Sequence, residues 1–450
     1  MKFGIFYEHQ LPRPWEDGDE HRLLHDALEQ IELADRLGFD VAWEVEHHFL
    51  EEYSHSSAPE VFLAAASQRT SRIRLGHGIV QTPPPFNHPA RVAERIATLD
   101  LLSNGRVEFG SGEAASAVEL EGFGIDPDRK RDMWREGLEV ALRCLTEEPF
   151  TGHEGEFVSM PPRNVVPKPL QKPHPPLWIA CSRRETILLA AEHGLGVLTF
   201  AFVDPEEARA WVDEYHTVLA ERGVAIGQSV NPNVAAVTTM MCAPTEQEAI
   251  ARGVEGANFF GYSLGHYYGY GDHVPGRTDV WAEFVERRGQ RGYDPDAASG
   301  TGARLQAKPS GESGSGLRGA VGSPEQVREF VRRYEQAGVD QLIFVLQAGN
   351  NRHEDICASL ELFGTEVLPE FAEREEREAA AKQARRAPVV EQVLARREQT
   401  RPSADGYTIP AYPLRQIREQ QDEQAAAYLE RLADEQATGT HQRERTAPPR

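Results

Sequence analysis

Residues 1–45, MKFGIFYEHQLPRPWEDGDEHRLLHDALEQIELADRLGFDVAWEV, decide the fold. Phe3 to Tyr7 is a short apolar run, followed by Pro12 and Pro14, and reads as a buried strand. From Leu23 to Leu37 the apolar residues Leu23, Leu24, Ala27, Leu28, Ile31, Ala34 and Leu37 recur at helical spacing, and Gly38 supplies the C-terminal stop. FDVAWEV, residues 39–45, is a second apolar strand. Strand, helix and strand in so short a span form a βαβ unit, and a right-handed crossover makes its two strands parallel.

The same rhythm continues down the chain. Helices are expected at Pro59–Gln68, Pro89–Leu102, Asp128–Leu145, Glu185–His193, Pro205–Arg222, Glu246–Phe259, Pro324–Gly338 and Asp355–Leu368. Strands are expected to start at Phe3, Asp40, Ile73, Arg106, Leu177, Gly196, Asn233 and Gln341. Eight parallel strands alternating with helices predict an α/β chain of the (β/α)₈ TIM-barrel class. Two stretches interrupt it. The proline-rich Glu148–Pro176 reads as a hairpin excursion, and Gly261–Gly322 reads as a long insertion before the last strand. The centre of that insertion, DPDAASGTGARLQAKPSGESGSG, has the composition of a mobile loop. Beyond Phe371 the chain turns to Glu, Arg, Gln and Ala. Residues 1–371 are therefore expected to form the barrel. Residues 372–450 are expected to be a charged tail, disordered or holding exposed helices at Glu373–Arg397 and Leu414–Asp434.

Composition limits the partners. A formal net charge of -23 argues against nucleic acid and anionic membrane, which would repel it. No run of about 18 apolar residues is present, so no membrane span is expected. Cys144, Cys181, Cys242 and Cys357 form no CxxC pair, and no apolar export segment follows Met1, so a reduced, cytoplasmic protein is expected.

Glu46-His47-His48 follows the second strand, at the end of the barrel where active sites lie. Side chains alternate there, so Glu46 and His48 point one way and His47 the other. Neighbouring histidines so arranged suit one metal ion poorly, and no metal site is expected. Taken by themselves they favour histidines satisfied by backbone hydrogen bonds over catalysis, by roughly two to one. His9, His77 and Glu113 also fall near strand ends, but their spacing does not require a site.

Several blocks in order resemble the luciferase-like flavin monooxygenase family: MKFGIFYEHQ, ADRLGFDVAWEVEHHF, SAPEVFLAAASQRTSRIRLGHGIV, HPARVAERIATLDLLSNGRVEFGSG and GSPEQVREFVRRYEQAGVDQLIF. The resemblance runs from Met1 to about Pro369, and HPxRxAE followed by TLDxLSxGR is its most specific part. It implies a barrel that uses reduced FMN (FMNH₂) from a separate flavin reductase. Oxygen would add to the flavin, and the peroxyflavin would attack an aldehyde, ketone or similar small organic substrate. It implies a catalytic acid/base role for His47, with His48 beside it in support. It places His77 and Gly78 at a strained peptide under the flavin ring, where glycine permits close backbone approach. It places Arg131 on the flavin phosphate, with Cys181, Ser182 and Thr186 at a helix start that favours phosphate. Glu113 stands at or next to a position where the family often has a phosphate-binding arginine. A carboxylate there would repel phosphate unless paired, and Arg131 is the expected partner. The 261–322 insertion falls where the family has an active-site lid, and Phe259, Phe260, Tyr262, Tyr267, Tyr268 and Tyr270 would either line a substrate pocket or pack that lid. A homodimer is implied, through helices beside the second and third strands. The other readings are an F420-dependent oxidoreductase on the same barrel, a non-catalytic flavin-binding barrel, and a metal-dependent barrel isomerase or hydrolase.

Overall fold

Alternate residues of each strand are divided between two apolar layers. The computed structural model describes residues 1–200, 205–288, 319–398, 404, 406–409 and 423–437. On β1 (Lys2–Tyr7), Phe3, Ile5 and Tyr7 join the layer beneath the helices, while Phe6 joins an inner cluster. On β2 (Val41–Glu44), Val41 and Trp43 face inward and Ala42 outward. The period of two that marks a strand thus builds a filled lumen and an outer core at once.

Between these strands lies α1 (Asp19–Leu37), and after them come α2 (Pro59–Arg69), β3 (Arg74–Gln81), α3 (Pro89–Leu102) and β4 (Val107–Gly112). Two helices follow, the short α4 (Ala117–Gly122) and α5 (Lys130–Thr146). The expected hairpin excursion is β5 (His153–Glu154) paired antiparallel with β6 (Ser159–Met160). The barrel resumes with β7 (Leu177–Cys181), α6 (Arg184–Glu192), β8 (Gly196–Phe200), α7 (Pro205–Arg222), β9 (Val234–Cys242) and α8 (Glu246–Gly265). A π-helical turn (His266–Tyr270) leads to α9 (Val280–Arg287). Beyond residue 318 come β10 (Ala320–Gly322), α10 (Pro324–Gln336), β11 (Gln341–Val345), α11 (His353–Glu366) and α12 (Leu368–Ala395).

Eight strands close the barrel in the order β1, β2, β3, β4, β7, β8, β9, β11 and back to β1, every pair parallel. Trp43 and Trp178 meet edge to face across the lumen, their ring centroids 5.4 Å apart. Gly76 on β3 makes room for them: a Cβ there would lie 2.3 Å from Trp43 Cε3.

The insertion and the tail both hold defined structure. The start of the 261–322 segment is helical, and Phe259, Phe260, Tyr262, Tyr267, Val280 and Phe284 bury themselves in the lumen cluster and so cap the barrel. Its far end is β10, a ninth strand alongside the upper part of β9 (Ala320 opposite Met240). The glycine- and serine-rich centre read as mobile lies outside the described residues. The boundary expected at Phe371 also moves. The first compact unit runs from Met1 to Arg401, because α12 buries Phe371 and Val393 and carries Arg386 to the Asp340 carboxylate at 3.0 Å. The second unit, Pro402–Arg450, holds α13 (Glu423–Ala437), where a helix over Leu414–Asp434 was expected; residues 410–422 lie outside the described residues. Among the described residues no helix is long and apolar enough to cross a membrane.

Candidate active site

The β2–α2 loop brings the reactive side chains to the C-terminal mouth of the barrel. Its backbone is tied to itself and to β1, with the His47 amide donating to the Ser56 carbonyl (2.8 Å) and the Val45 amide to the Tyr7 carbonyl (3.3 Å). Phe49 and Glu51 have left-handed φ angles of 65° and 35°, which turn the loop sharply. Buried Glu52 accepts from the Arg13, Val280 and Trp281 amides, pinning the start of α9 to this loop.

His47 is held from both sides of its ring. Nδ1 lies 3.1 Å from Glu119 Oε1 on α4, and Nε2 lies 3.6 Å from Glu8 Oε2, one residue beyond β1. The Tyr53 hydroxyl donates to Glu8 Oε1 at 2.9 Å, and the Tyr268 hydroxyl sits 3.4 Å from both ring nitrogens. The His47 side chain keeps 15% of its exposure, whereas Glu119 and Glu8 keep 0% and 2%. Burial by itself would drive imidazole to its neutral form. The charges of Glu119 and then Glu8 overcome it and raise the pKa to about 9. Glu8 goes to about 7, because burial outweighs the His47 charge and the Tyr53 hydrogen bond that favour its anion. At neutral pH His47 is therefore an imidazolium, a proton donor facing the barrel mouth.

His48 has a different setting. Its Nε2 lies 3.2 Å from Glu46 Oε1, and its ring stacks on Phe86 and meets Phe123 edge-on. Glu46 in turn accepts from the Gln81 amide (2.7 Å) and Asn87 Nδ2 (2.7 Å). This is the alternation expected of Glu46-His47-His48, with Glu46 and His48 paired to each other and His47 paired elsewhere. The His48 amide does reach Glu119 Oε1 at 3.1 Å.

His77 does not join this group through its side chain. It shares the outer face of β3 with Leu75, is buried, and is pushed down to about 3 by burial and by the Arg95 charge. Its backbone is another matter. A bulge between His77 and Val80 breaks the β3–β4 register. Gly78 there faces the Phe6 ring in the lumen, where a Cβ would lie 3.3 Å from Phe6 Cε2, and a Cβ on Gly110 of β4 would fall 2.2 Å from the His77 carbonyl. Two glycines thus leave bare backbone on this wall.

The corner expected to hold phosphate pairs its acid with a base. Glu113 is clamped by Arg131 in a bidentate pair, Nε–Oε2 2.6 Å and Nη2–Oε1 2.8 Å, and Lys130 Nζ lies 3.7 Å from the same carboxylate. Arg183 is close enough to bear on the Lys130 charge, and Cys181 close enough to feel Arg131. Lys130, Arg131 and Arg183 gather here with two anions, Glu113 and, near Arg131, Asp132. Cys181 is buried with its thiol pushed up to about 12 by burial, so it is no nucleophile. Thr186 spends its hydroxyl on the Arg183 carbonyl (2.6 Å) at the start of α6, and Ser182 is exposed beside it.

Glu8, Tyr53, Glu119, Lys130 and Arg183 are not singled out by the sequence. Glu8 carries a usable signal, since it directly follows the first strand. Glu119 carries none, lying in AVELEG with no motif around it. From the aromatic cluster it is Tyr268 that reaches His47, while Phe259, Phe260 and Tyr262 are wholly buried as packing. Among the described residues no cluster of three His, Cys, Asp or Glu could hold a metal ion.

The profile of a family described as luciferase-like monooxygenase matches residues 1–341. The chain belongs to this family. A flavin-dependent trigonelline monooxygenase, oxygenase component, of Acinetobacter baylyi is 26% identical over 83% of this chain and 96% of its own. The oxygenating constituent of 3,6-diketocamphane monooxygenase from Pseudomonas putida, solved in complex with FMN, has a TM-score of 0.62 and 23% identity over 82% of this chain and 98% of its own. An F420-dependent secondary alcohol dehydrogenase, solved in complex with an F420-acetone adduct, has a TM-score of 0.60 and 19% identity over 82% of this chain and 98% of its own. Two uncharacterized proteins of Sinorhizobium fredii, 33% and 36% identical, are matched over only about half of their length, 51% and 55%.

Proposed function

We propose that the chain is the oxygenase of a two-component system, taking reduced FMN from a separate flavin reductase and using O₂ to oxygenate a small aldehyde, ketone or similar organic substrate. The observation that carries this reading is His47 held between two buried glutamates at the mouth of a luciferase-like barrel. The flavin, when bound, supplies the two electrons that activate oxygen.

The residues present fit such a group. Glu119 Oε2 and Gln81 Oε1 are buried acceptors with no donor among the described residues, and a ring bearing N–H groups would satisfy them. The bare backbone at Gly78 and Gly110 suits a flat ring, and Lys130, Arg131 and Arg183 would hold its phosphate. His47 Nε2 carries the proton needed where negative charge develops on a reacting oxygen. Glu119, by gripping Nδ1, sets the ring orientation and keeps it charged. The cap of α8, the π-helical turn and α9 covers the lumen with Phe260 and Tyr267 and limits access of water.

Anaerobic titration with photoreduced FMN tests the reading, with riboflavin and reduced F420 as parallel ligands. Reduced FMN is expected to bind at micromolar concentration and riboflavin more weakly, for want of a phosphate. Binding of F420 with none of FMN would move the chain to the deazaflavin oxidoreductases. Binding of neither would refute a flavin enzyme.

A further inference from the structure

The strongest feature that the proposed chemistry leaves unused is the second carboxylate on His47. One carboxylate, Glu119, already pairs with Nδ1 and suffices to orient the ring. Glu8 occupies the opposite nitrogen, the one free to act, with Oε2 3.6 Å from Nε2. It is 2% exposed, and among the described residues Oε2 accepts no hydrogen bond, while Oε1 is occupied by the Tyr53 hydroxyl. The backbone behind it is fixed as well, since Ser54 Oγ donates to the Glu8 carbonyl at 2.8 Å. A buried carboxyl group with one oxygen anchored and the other aimed at a nitrogen is poorly explained as packing, because an unpaired buried oxygen costs about 1–3 kcal/mol in folding.

We propose that Glu8 is a proton-exchanging partner of His47, returning to Nε2 the proton that the imidazolium delivers to the substrate oxygen. The inference rests on the monooxygenase reading. In the first step the Nε2–H bond breaks and an O–H bond forms on the product, leaving neutral imidazole. In the second the Glu8 Oε2–H bond breaks and Nε2–H is restored, leaving Glu8 as carboxylate. Between turnovers that carboxylate regains one proton from solvent, and no electrons pass through the relay. The distance of 3.6 Å closes to a hydrogen bond with a small movement of either side chain, as is usual for proton-transfer pairs before a ligand is bound. Glu8 acts through His47 and is a positioning and relay residue, not one that touches substrate.

The charged and titratable groups that face Glu8 are His47 and Tyr53 from the β2–α2 loop, Glu44 from β2, Glu119 from α4 and Tyr268 from the π-helical turn. Of these, His47 and Tyr53 favour its anion, and the two glutamates oppose it. Glu8 titrates near 7 and His47 near 9, so below about pH 7 both carry a proton, and transfer from Glu8 to a neutral His47 runs downhill.

Histidine-selective ¹⁵N NMR on the full chain reads this directly, without substrate, the His47 signals being assigned by their loss in His47→Gln. The expected result is two steps in the His47 titration, one near pH 7 as Glu8 ionises and one near 9 as the ring loses its proton. In Glu8→Gln the first step disappears and the second moves to lower pH, while Glu8→Asp keeps both. If Glu8→Gln does not fold, Tyr53→Phe serves: losing its hydrogen bond to the carboxylate moves the first step upward. One step only in the wild type, or curves unchanged by these substitutions, would overturn the proposal. Reduced-FMN binding is measured separately on the same samples; its failure refutes the enzyme reading, whereas intact binding with an unaltered His47 titration refutes the relay alone.

Discussion

Replacing Glu119 with Gln and His47 with Gln, singly and together, measures the pair on which the candidate site depends. The His47 pKa is raised from 6.5 to about 9 in the folded chain, so the folded state holds the ring proton more tightly than the unfolded state. The stabilisation is therefore fully present below pH 6.5, declines as pH rises from there, and is gone above about 9. Linkage with these two values gives about 3 kcal/mol at pH 7 and almost nothing at pH 10. Glu119, at 3.1 Å, supplies the larger part of the favourable charge and Glu8 the smaller. The coupling energy from urea denaturation of the four proteins should thus be about 1–3 kcal/mol at pH 7. At pH 10 it should fall below about 1 kcal/mol, the worth of a neutral hydrogen bond. Coupling under about 0.5 kcal/mol at pH 7, or equal coupling at both pH values, would refute a charged His47 held by Glu119.

Three further substitutions probe other parts of the molecule. Arg131→Ala should weaken reduced-FMN binding about tenfold or more while leaving riboflavin binding nearly unchanged, since it removes one phosphate cation and exposes the Glu113 carboxylate; Arg131→Ala with Glu113→Gln should regain part of the loss in the same fluorescence titration. Gly110→Ala should lower stability by about 1–3 kcal/mol and weaken flavin binding, because its Cβ would sit 2.2 Å from the His77 carbonyl at the β3 bulge; calorimetry and titration check the two effects. Arg386→Ala should cost about 1–3 kcal/mol in thermal or urea unfolding without altering flavin affinity, since it leaves Asp340 with Lys382 alone and removes a contact to Asn233 far from the barrel mouth.

The barrel is legible because its pattern is local. Each strand announces itself by apolar alternation and each helix by its spacing and by stops such as Gly38, and all eight predicted strands close the sheet. The cap is harder to read because apolar content, not glycine and serine, governs residues 259–284, and a π-helical turn leaves no signature in sequence. The boundary at Phe371 fails for a related reason: Val393 is one apolar residue in a charged helix, and it packs beside Gly194 and Gly223, just beyond α6 and α7 and distant in the chain. Within the site, His47 is visible at a strand end. Its two carboxylates are not, because Glu8 and Glu119 meet it only through barrel closure, 39 and 72 residues away along the chain. The Glu113–Arg131 pair is legible because an acid beside the proposed phosphate position calls for a base.

The most direct measurement of the central claim is the ratio of oxygenated product to O₂ consumed by the reductase-coupled protein across a panel of small ketones and aldehydes, in wild type and His47→Gln with reduced-FMN affinity measured on both. The expected result is a ratio near one for at least one compound in the wild type, falling about a hundredfold in His47→Gln at unchanged affinity, with the missing oxygen recovered as hydrogen peroxide. Equal product yield from the two proteins would contradict the role given to His47, and reduced FMN reoxidised with peroxide as the sole product across the whole panel in the wild type would contradict the monooxygenase itself.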